Sequence, residues 1–209
     1  MFKTYNPKIN SYAQRNADNM ASIILMVILS IQQHWSRVGN MLADVRRCKS
    51  HSVFLWGNKG NAYEYITTHK HFIYGSMLAV LNSKNLTAHA KSISLMKIFL
   101  KIPNLNLAKA GFVCQLVAGL VGCMDVHNIR TYGITAKSLE YNKNCKTSKG
   151  IDNNRRKLEK YIKLCHDYGT ENLWNSWCSM IADKYPRDFV DSNHVSELHY
   201  TYLTGECDE

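Results

Sequence analysis

The spacing of apolar residues is the feature that most constrains the fold, because these residues recur every three to four positions in several segments. Between residues 63 and 82 the recurrence includes Ile66, Ile73, Met77 and Leu81, which is typical of an amphipathic helix. No segment shows sustained alternation of apolar and polar residues, and there is no Asn-Gly or Asp-Gly hairpin and no internal repeat. The sequence therefore predicts an all-α protein.

Helix signals and breakers divide the chain into further segments. Thr87 is a predicted N-cap, Pro103 and Gly119 are predicted to end helices, and Asp191 or Ser192 is predicted to cap a last helix that ends before Gly205. The predicted helices cover residues 21–38, 40–48, 63–82, 87–101, 107–118, 153–168 and 170–185. We expect irregular structure over residues 1–20, a loop over 50–62 that includes Trp56, and a flexible basic loop over 142–157.

The charge balance favours anionic partners. The 209 residues, enough for one large or two small domains, carry 26 basic and 16 acidic side chains and a formal net charge of +10. An excess of this kind favours nucleic acid or an acidic membrane surface as a partner. The segment 142–157 holds six basic residues and one acidic residue, and it is either a solvated loop or a contact with a DNA or RNA backbone.

Cysteine usage and hydropathy indicate an intracellular protein. The seven cysteines are odd in number and no pair has the Cys-x-x-Cys spacing, which argues against a disulfide framework, a four-cysteine zinc site and an iron–sulfur cluster. The longest apolar run, residues 21–31, is too short to cross a bilayer, and a signal peptide is not indicated. We expect a reducing compartment, cytoplasm or nucleoid, with no membrane segment, no metal and no cofactor.

The segment 102–131 carries the functional information. We expect one helix to end at Ile102, a tight turn to follow over residues 103–106, and a second helix to begin near Leu107. Asn104 and Asn106 permit a sharp turn, because asparagine tolerates positive φ better than other non-glycine residues. Such a turn leaves free N–H groups at a helix N-terminus, which suits a phosphate group.

The chain that follows this turn has room to return to it. From Lys109 to Ala118 a helix advances about 14 Å, at about 1.5 Å per residue. After the stop at Gly119, the six residues 119–124 can span up to roughly 20 Å if extended. This spacing allows Asp125 to lie beside Lys109 in one cleft.

These residues resemble the helix-hairpin-helix DNA glycosylases, the superfamily that includes endonuclease III and the 8-oxoguanine glycosylases. That family has a Leu-Pro-Gly-x-Gly hairpin, a catalytic lysine, a helix, a return loop and a Val-Asp-x-His segment. This chain offers residues 102–106 as Ile-Pro-Asn-Leu-Asn, then Lys109, then residues 124–127 as Met-Asp-Val-His, so the resemblance covers about 30 of 209 residues. Asparagines stand where the family has its hairpin glycines, and Lys109 stands one residue later than the family lysine.

The resemblance implies a two-lobed helical fold in a single domain. The central lobe with the hairpin comprises approximately residues 40–130, and residues 1–39 with 131–209 form the second lobe. It implies a monomer that binds double-stranded DNA and flips a base into the cleft between the lobes. The implied activity is base excision, with AP-lyase activity if the lysine forms a Schiff base.

The resemblance also implies roles for individual residues. Asp125 is the implied catalytic carboxylate, which stabilises the sugar cation or activates water, and Lys109 is the implied nucleophile. The implied DNA contacts are made by Asn104, Leu105, Asn106, Leu107 and Arg130. His127 and Gln115 are candidates for pocket or supporting residues.

Each of these residues also has an ordinary structural interpretation. Asp125 is a typical helix N-cap, Lys109 a typical solvated lysine, and His127 a typical hydrogen-bonding residue. Gln115 fits an exposed helix face, and Trp174 and Trp177 have the spacing of core residues. The alternative functions are a non-enzymatic nucleic-acid-binding protein, which uses the hairpin as a phosphate clamp, and a helical scaffold.

Overall fold

A computed structural model describes residues 7–48 and 59–204, and within these ranges the chain is helical with no β-strand. The prediction of an all-α protein is therefore confirmed for this part of the chain. The helices are α1 (Lys8–Ala13), α2 (Ala17–Leu29), α3 (Trp35–Cys48), α4 (Lys59–Asn82), α5 (Ala88–Phe99), α6 (Leu107–Ala118), α7 (Val126–Thr131), α8 (Ser148–Tyr168), α9 (Thr170–Lys184) and α10 (Ser192–Thr204).

Several predicted helix ends are confirmed by their capping contacts. The side chain of Thr87 accepts a hydrogen bond from the Ala90 amide at the start of α5, and Asp191 accepts one from the His194 amide at the start of α10. Gly119 ends α6 in the left-handed conformation with φ of 68°. The predicted bounds of α6 and α9 hold to within one residue.

The single helix predicted over residues 21–38 is wrong, because the structure has two helices there. Asn16 caps α2, which ends at Leu29, and α3 continues through Gly39 to Cys48. Hydrogen-bond donors from side chains end α2: Ser30 donates to the Val27 carbonyl, and Lys59 to the carbonyls of Leu29 and Ile31. The chain then turns at Gln32, whose φ is 56°.

Three segments expected to be irregular or loops contain helix. Residues 8–13 and 17–20 belong to α1 and α2, and the expected loop over 142–157 becomes helix α8 from Ser148 onward. Residues 59–62 of the loop predicted over 50–62 begin α4, whereas residues 50–58, including Trp56, lie outside the described residues. These segments are rich in polar residues, and a polar helix has little of the hydrophobic periodicity from which a helix is predicted.

Helix α2 lies at the centre of the protein and contacts α1, α3, α4, α6 and α10. It is buried almost all round, which explains its uninterrupted apolar sequence. None of the described helices is long and apolar enough to span a membrane. The thiols of Cys114, Cys123, Cys165 and Cys178 are free and buried, which confirms the prediction that most cysteines are core residues.

Candidate functional site

A cavity of about 430 Å³ lies where the α2–α3 connection meets the beginnings of α6 and α7 and the end of α9. Its walls come from segments far apart in sequence: residues 30–33 and 35, residues 106, 108 and 109, residues 125–127, and residues 177, 181, 184 and 185. Lys109 and Asp125 both belong to these walls. Ala108, the residue before Lys109, lines the cavity as well but has no reactive group.

Asp125 is the N-cap of α7 and is half-buried. Its Oδ1 accepts hydrogen bonds from the amides of His127 at 3.0 Å and Asn128 at 3.1 Å. The ordinary structural interpretation of Asp125 is therefore correct. It is compatible with a chemical role, because these two bonds use one carboxylate oxygen and hold the side chain at the cavity wall.

The return loop over residues 119–124 is fastened tightly to α6 and α8. The Tyr161 hydroxyl donates to the Gly122 carbonyl at 2.8 Å and accepts from the Met124 amide at 2.9 Å. A Cβ at Gly111 would lie 2.3 Å from the Tyr161 hydroxyl and 2.6 Å from the Gly122 carbonyl oxygen. Glycine is required at position 111 so that the loop can pass close to α6 and deliver Asp125 to the cavity.

Gln115 helps to fasten the return loop and does not line the cavity. It is 1% exposed, which makes the expectation of an exposed helix face wrong. Its Nε2 donates to the Thr170 carbonyl at 2.8 Å, and its Oε1 accepts from the Cys123 amide at 3.1 Å. Buried Asn128, which sequence analysis missed, adds bonds from its Nδ2 to the carbonyls of Cys123 and Leu173.

Lys109 directs its side chain to the end of α2. Its Nζ donates to Ser30 Oγ at 3.2 Å and lies 5.6 Å from the centroid of the Phe112 ring. No ion pair joins Lys109 to Asp125 among the described residues, although both line the cavity.

A second lysine, which sequence analysis missed, lies behind the first. Lys59 is 6% exposed, and its Nζ donates to the carbonyls of Ile31 at 2.6 Å and Leu29 at 3.3 Å. Burial lowers the pKa of Lys59, and the nearby charge of Lys109 lowers it further. Two lysines therefore bind one turn at the end of α2, which only the tertiary structure brings together.

The turn between α5 and α6 is a tight hairpin, as the sequence predicts, but its two asparagines differ. Asn104 takes the positive φ, at 66°, whereas Asn106 is extended and caps α6 by accepting a hydrogen bond from the Lys109 amide. The amide of Leu105 donates to the Ile102 carbonyl at 3.3 Å. The first-turn amides of Leu107 and Ala108 have no acceptor within the helix.

The other predicted residues divide between the cavity and the surface. His127 is half-buried and lines the cavity, whereas Arg130 is exposed on the last turn of α7 and does not line it. The side chains of Leu105 and Leu107 are buried in the core. In the hairpin, Asn106 is exposed and Asn104 is half-buried, so these two asparagines and the backbone are the candidate DNA contacts.

Aromatic rings form part of the cavity wall. Trp35 and Trp177 both line it and meet edge to face, with ring centroids 5.4 Å apart. His199 packs against Trp35 at 4.3 Å, and complete burial lowers the pKa of its imidazole to about 3. Trp174 and Trp177 are core residues as predicted, but the position of Trp177 beside Lys109 and Asp125 was not apparent from the sequence.

Within residues 7–48 and 59–204, no group of three or more histidine, cysteine, aspartate or glutamate side chains is arranged to hold a metal ion. No protein-family model matches this chain, and no curated protein or solved structure shows significant similarity to it.

Proposed function

We propose that this chain is a helix-hairpin-helix DNA glycosylase that removes a base flipped out of duplex DNA into the cavity. The observation that carries the proposal is the meeting of Lys109 and Asp125 in one cavity beside the hairpin. The resemblance of residues 102–131 to the glycosylase motif supports it independently of this geometry. The net charge of +10 is suited to a polyanionic substrate.

In this mechanism Asp125 stabilises positive charge on the sugar. As the N-glycosidic bond breaks, the base leaves with the bonding electrons and the sugar becomes a cation. A carboxylate already held by two amide bonds needs no reorganisation to face that charge. With water as the nucleophile, Asp125 receives its proton and the product is an abasic site.

Lys109 supplies the lyase step. Its amine, when neutral, attacks the anomeric carbon as the bond to the base breaks, and the sugar ring then opens to give a protonated Schiff base. Loss of a C2′ proton to water then allows the 3′ phosphate to leave by β-elimination. Lys109 is held by the neutral hydroxyl of Ser30 and not by a carboxylate, so it can turn toward a substrate at the cost of one hydrogen bond.

The remaining walls suit the base and the backbone. Trp35 and Trp177 are 2% and 8% exposed, and the small part of each that reaches the cavity gives a flipped base an apolar contact. The first-turn amides of α6 bind a phosphate without reading sequence, which places the duplex beside the cavity.

An alkali-cleavage assay tests the proposal. Labelled duplexes that carry damaged, mismatched and modified bases are incubated with wild type, Asp125→Asn and Lys109→Ala, and alkali then converts abasic sites to strand breaks. We expect Asp125→Asn to lose base release by at least about a hundredfold. It should keep the fold, because asparagine caps helices as well as aspartate does. We expect Lys109→Ala to lose both signs of a Schiff base, namely strand cleavage before alkali is added and covalent trapping of the DNA by borohydride.

Base release that survives Asp125→Asn would refute the proposed chemistry. The alternative function, a non-enzymatic duplex-binding protein, is favoured by the exposed cations near the hairpin and predicts salt-dependent binding without base loss. Absence of base release from every duplex of a broad panel, together with salt-dependent binding, would establish this alternative.

A further inference from the structure

The first half of α8 projects beyond the protein core. The buried residues of this helix, Leu158, Tyr161, Ile162 and Cys165, all lie in its second half. No residue from 148 to 157 is buried. At about 1.5 Å per residue, this part of the helix extends about 15 Å.

The projection is basic where helix electrostatics favours acidic residues. The N-terminus of a helix carries partial positive charge, and cations there are unfavourable. The first turn of α8 nevertheless has no acidic residue, and the one acidic residue between positions 142 and 157, Asp152, pairs with Arg155 at 3.3 Å. The basic residues of this segment are Lys143, Lys146, Lys149, Arg155, Arg156 and Lys157. Helix electrostatics does not explain the lysine in the first turn, whereas an anionic partner explains that lysine and the basic residues around it.

Lys149 and Arg156 lie on one face of the projection. They are two helical turns apart, about 10 Å along the axis, with Asn153 between them. All three line a surface depression together with Thr147, Gly150 and Asp152. The two cations are therefore oriented toward a common ligand surface and not spread around the helix.

Hydrogen bonds brace the projection against the loop that precedes it. Asn154 Nδ2 donates to the Asn142 carbonyl at 2.7 Å, and the Asn142 amide donates to Asn154 Oδ1 at 3.2 Å. Thr147 caps the helix by accepting from the Gly150 amide at 3.2 Å. These bonds hold the basic residues in a defined place, as a binding surface requires.

The same loop is attached to the hairpin. Lys143 Nζ donates to the carbonyl of Ile102 at 2.7 Å, and Ile102 directly precedes the turn of residues 103–106. The loop that leads into the basic projection is therefore attached to the residue from which the hairpin begins.

We propose that Lys149 and Arg156, flanked by Lys146, form a second phosphate-binding surface that contacts the backbone of the duplex held by the hairpin. This inference rests on the proposed function only for its choice of partner, duplex DNA. The contacts are to phosphates, so the surface adds affinity and reach without adding sequence preference.

The test compares two double variants of the full-length protein on one undamaged duplex, in a titration of affinity against salt. Lys149→Ala/Arg156→Ala removes the proposed contacts. Arg15→Ala/Lys84→Ala removes the same charge from exposed positions in the α1–α2 and α4–α5 connections. Asn10 of α1 donates to the carbonyls of Gln115 and Leu116, and Gln14, next to Arg15, donates to that of Val117. Arg15 therefore lies near the end of α6 that is opposite the hairpin.

We expect the slope of log affinity against log salt to fall by about 2 in the first variant and to stay at the wild-type value in the second. Alanine at these exposed helix positions should leave the thermal unfolding midpoint unchanged or higher, so a lower slope reports lost contacts and not lost structure. Equal slopes for the two variants would overturn this inference and leave the proposed function intact. Absence of duplex binding by the wild type would overturn both.

Discussion

At the residue scale, the position of Asp125 depends on the absence of a side chain at Gly111. The Tyr161 hydroxyl and the Gly122 carbonyl occupy the space where a Cβ would stand. The contact is between a helix and the loop that carries the candidate carboxylate, so a displacement here is transmitted to the cavity.

Gly111→Ala tests this dependence. We expect it to destabilise the protein by about 1–3 kcal/mol, because neither the buried tyrosine nor the backbone carbonyl can move freely, and to reduce base release further than stability alone explains. Gly75→Ala is the matched control, since a Cβ there meets nothing within 4 Å in the middle of α4. The control should gain about 0.5–1 kcal/mol in chemical denaturation. Equal effects of the two substitutions would contradict this account of the loop.

At the element scale, the hairpin places the beginning of α6 beside the cavity, and Asn106 serves both the helix and the surface. Its side chain caps α6, while the residue itself is exposed on the cavity rim. A substitution at position 106 can therefore either remove the cap or keep the cap and change the charge, which separates helix capping from DNA binding.

Asn106→Ala should cost about 1 kcal/mol of stability through the lost cap. Asn106→Asp should keep the cap but weaken duplex binding about fivefold at low salt, because it places a negative charge near a phosphate. Denaturation and binding titrations on both variants measure the two effects. Full duplex affinity in Asn106→Asp at low salt would place the DNA elsewhere.

At the scale of the whole molecule, acid sensitivity follows from a buried neutral histidine. Burial lowers the pKa of His199 to about 3, from an ordinary value of 6.5. The unfolded chain therefore binds more protons than the folded chain between these values. The contribution of His199 to stability is complete above pH 6.5 and is lost progressively as the pH falls toward 3.

His199→Phe removes this linkage while keeping an aromatic ring among Trp35, Phe112, Trp174 and Trp177. Between pH 7 and pH 4.5 we expect the variant to lose about 2–3 kcal/mol less stability than the wild type. Urea denaturation at the two pH values measures the difference. A variant with the acid dependence of the wild type would show that another group is responsible.

Much of the fold and the outline of the site were predictable from local patterns. The apolar periodicity identified α4, α5, α6 and α9, and the turn chemistry around residues 103–106 and Gly119 identified the hairpin and the end of α6. These features were readable because helix periodicity and capping depend on residues within a few positions of one another. The same signals failed for polar helices such as the beginning of α8.

By itself, the sequence determined the helical class and the hairpin. Its spacing also allowed Lys109 and Asp125 to lie in one cleft. Only the tertiary structure decided that both residues line one cavity, with Trp35 and Trp177 as its aromatic walls and Lys59 buried behind it. The physical reason is that these groups meet through long-range contacts: Tyr161 and Gln115 fasten the return loop, and lysines from two helices bind the end of α2. Such contacts depend on how helices distant in sequence pack together, and no local pattern records that packing.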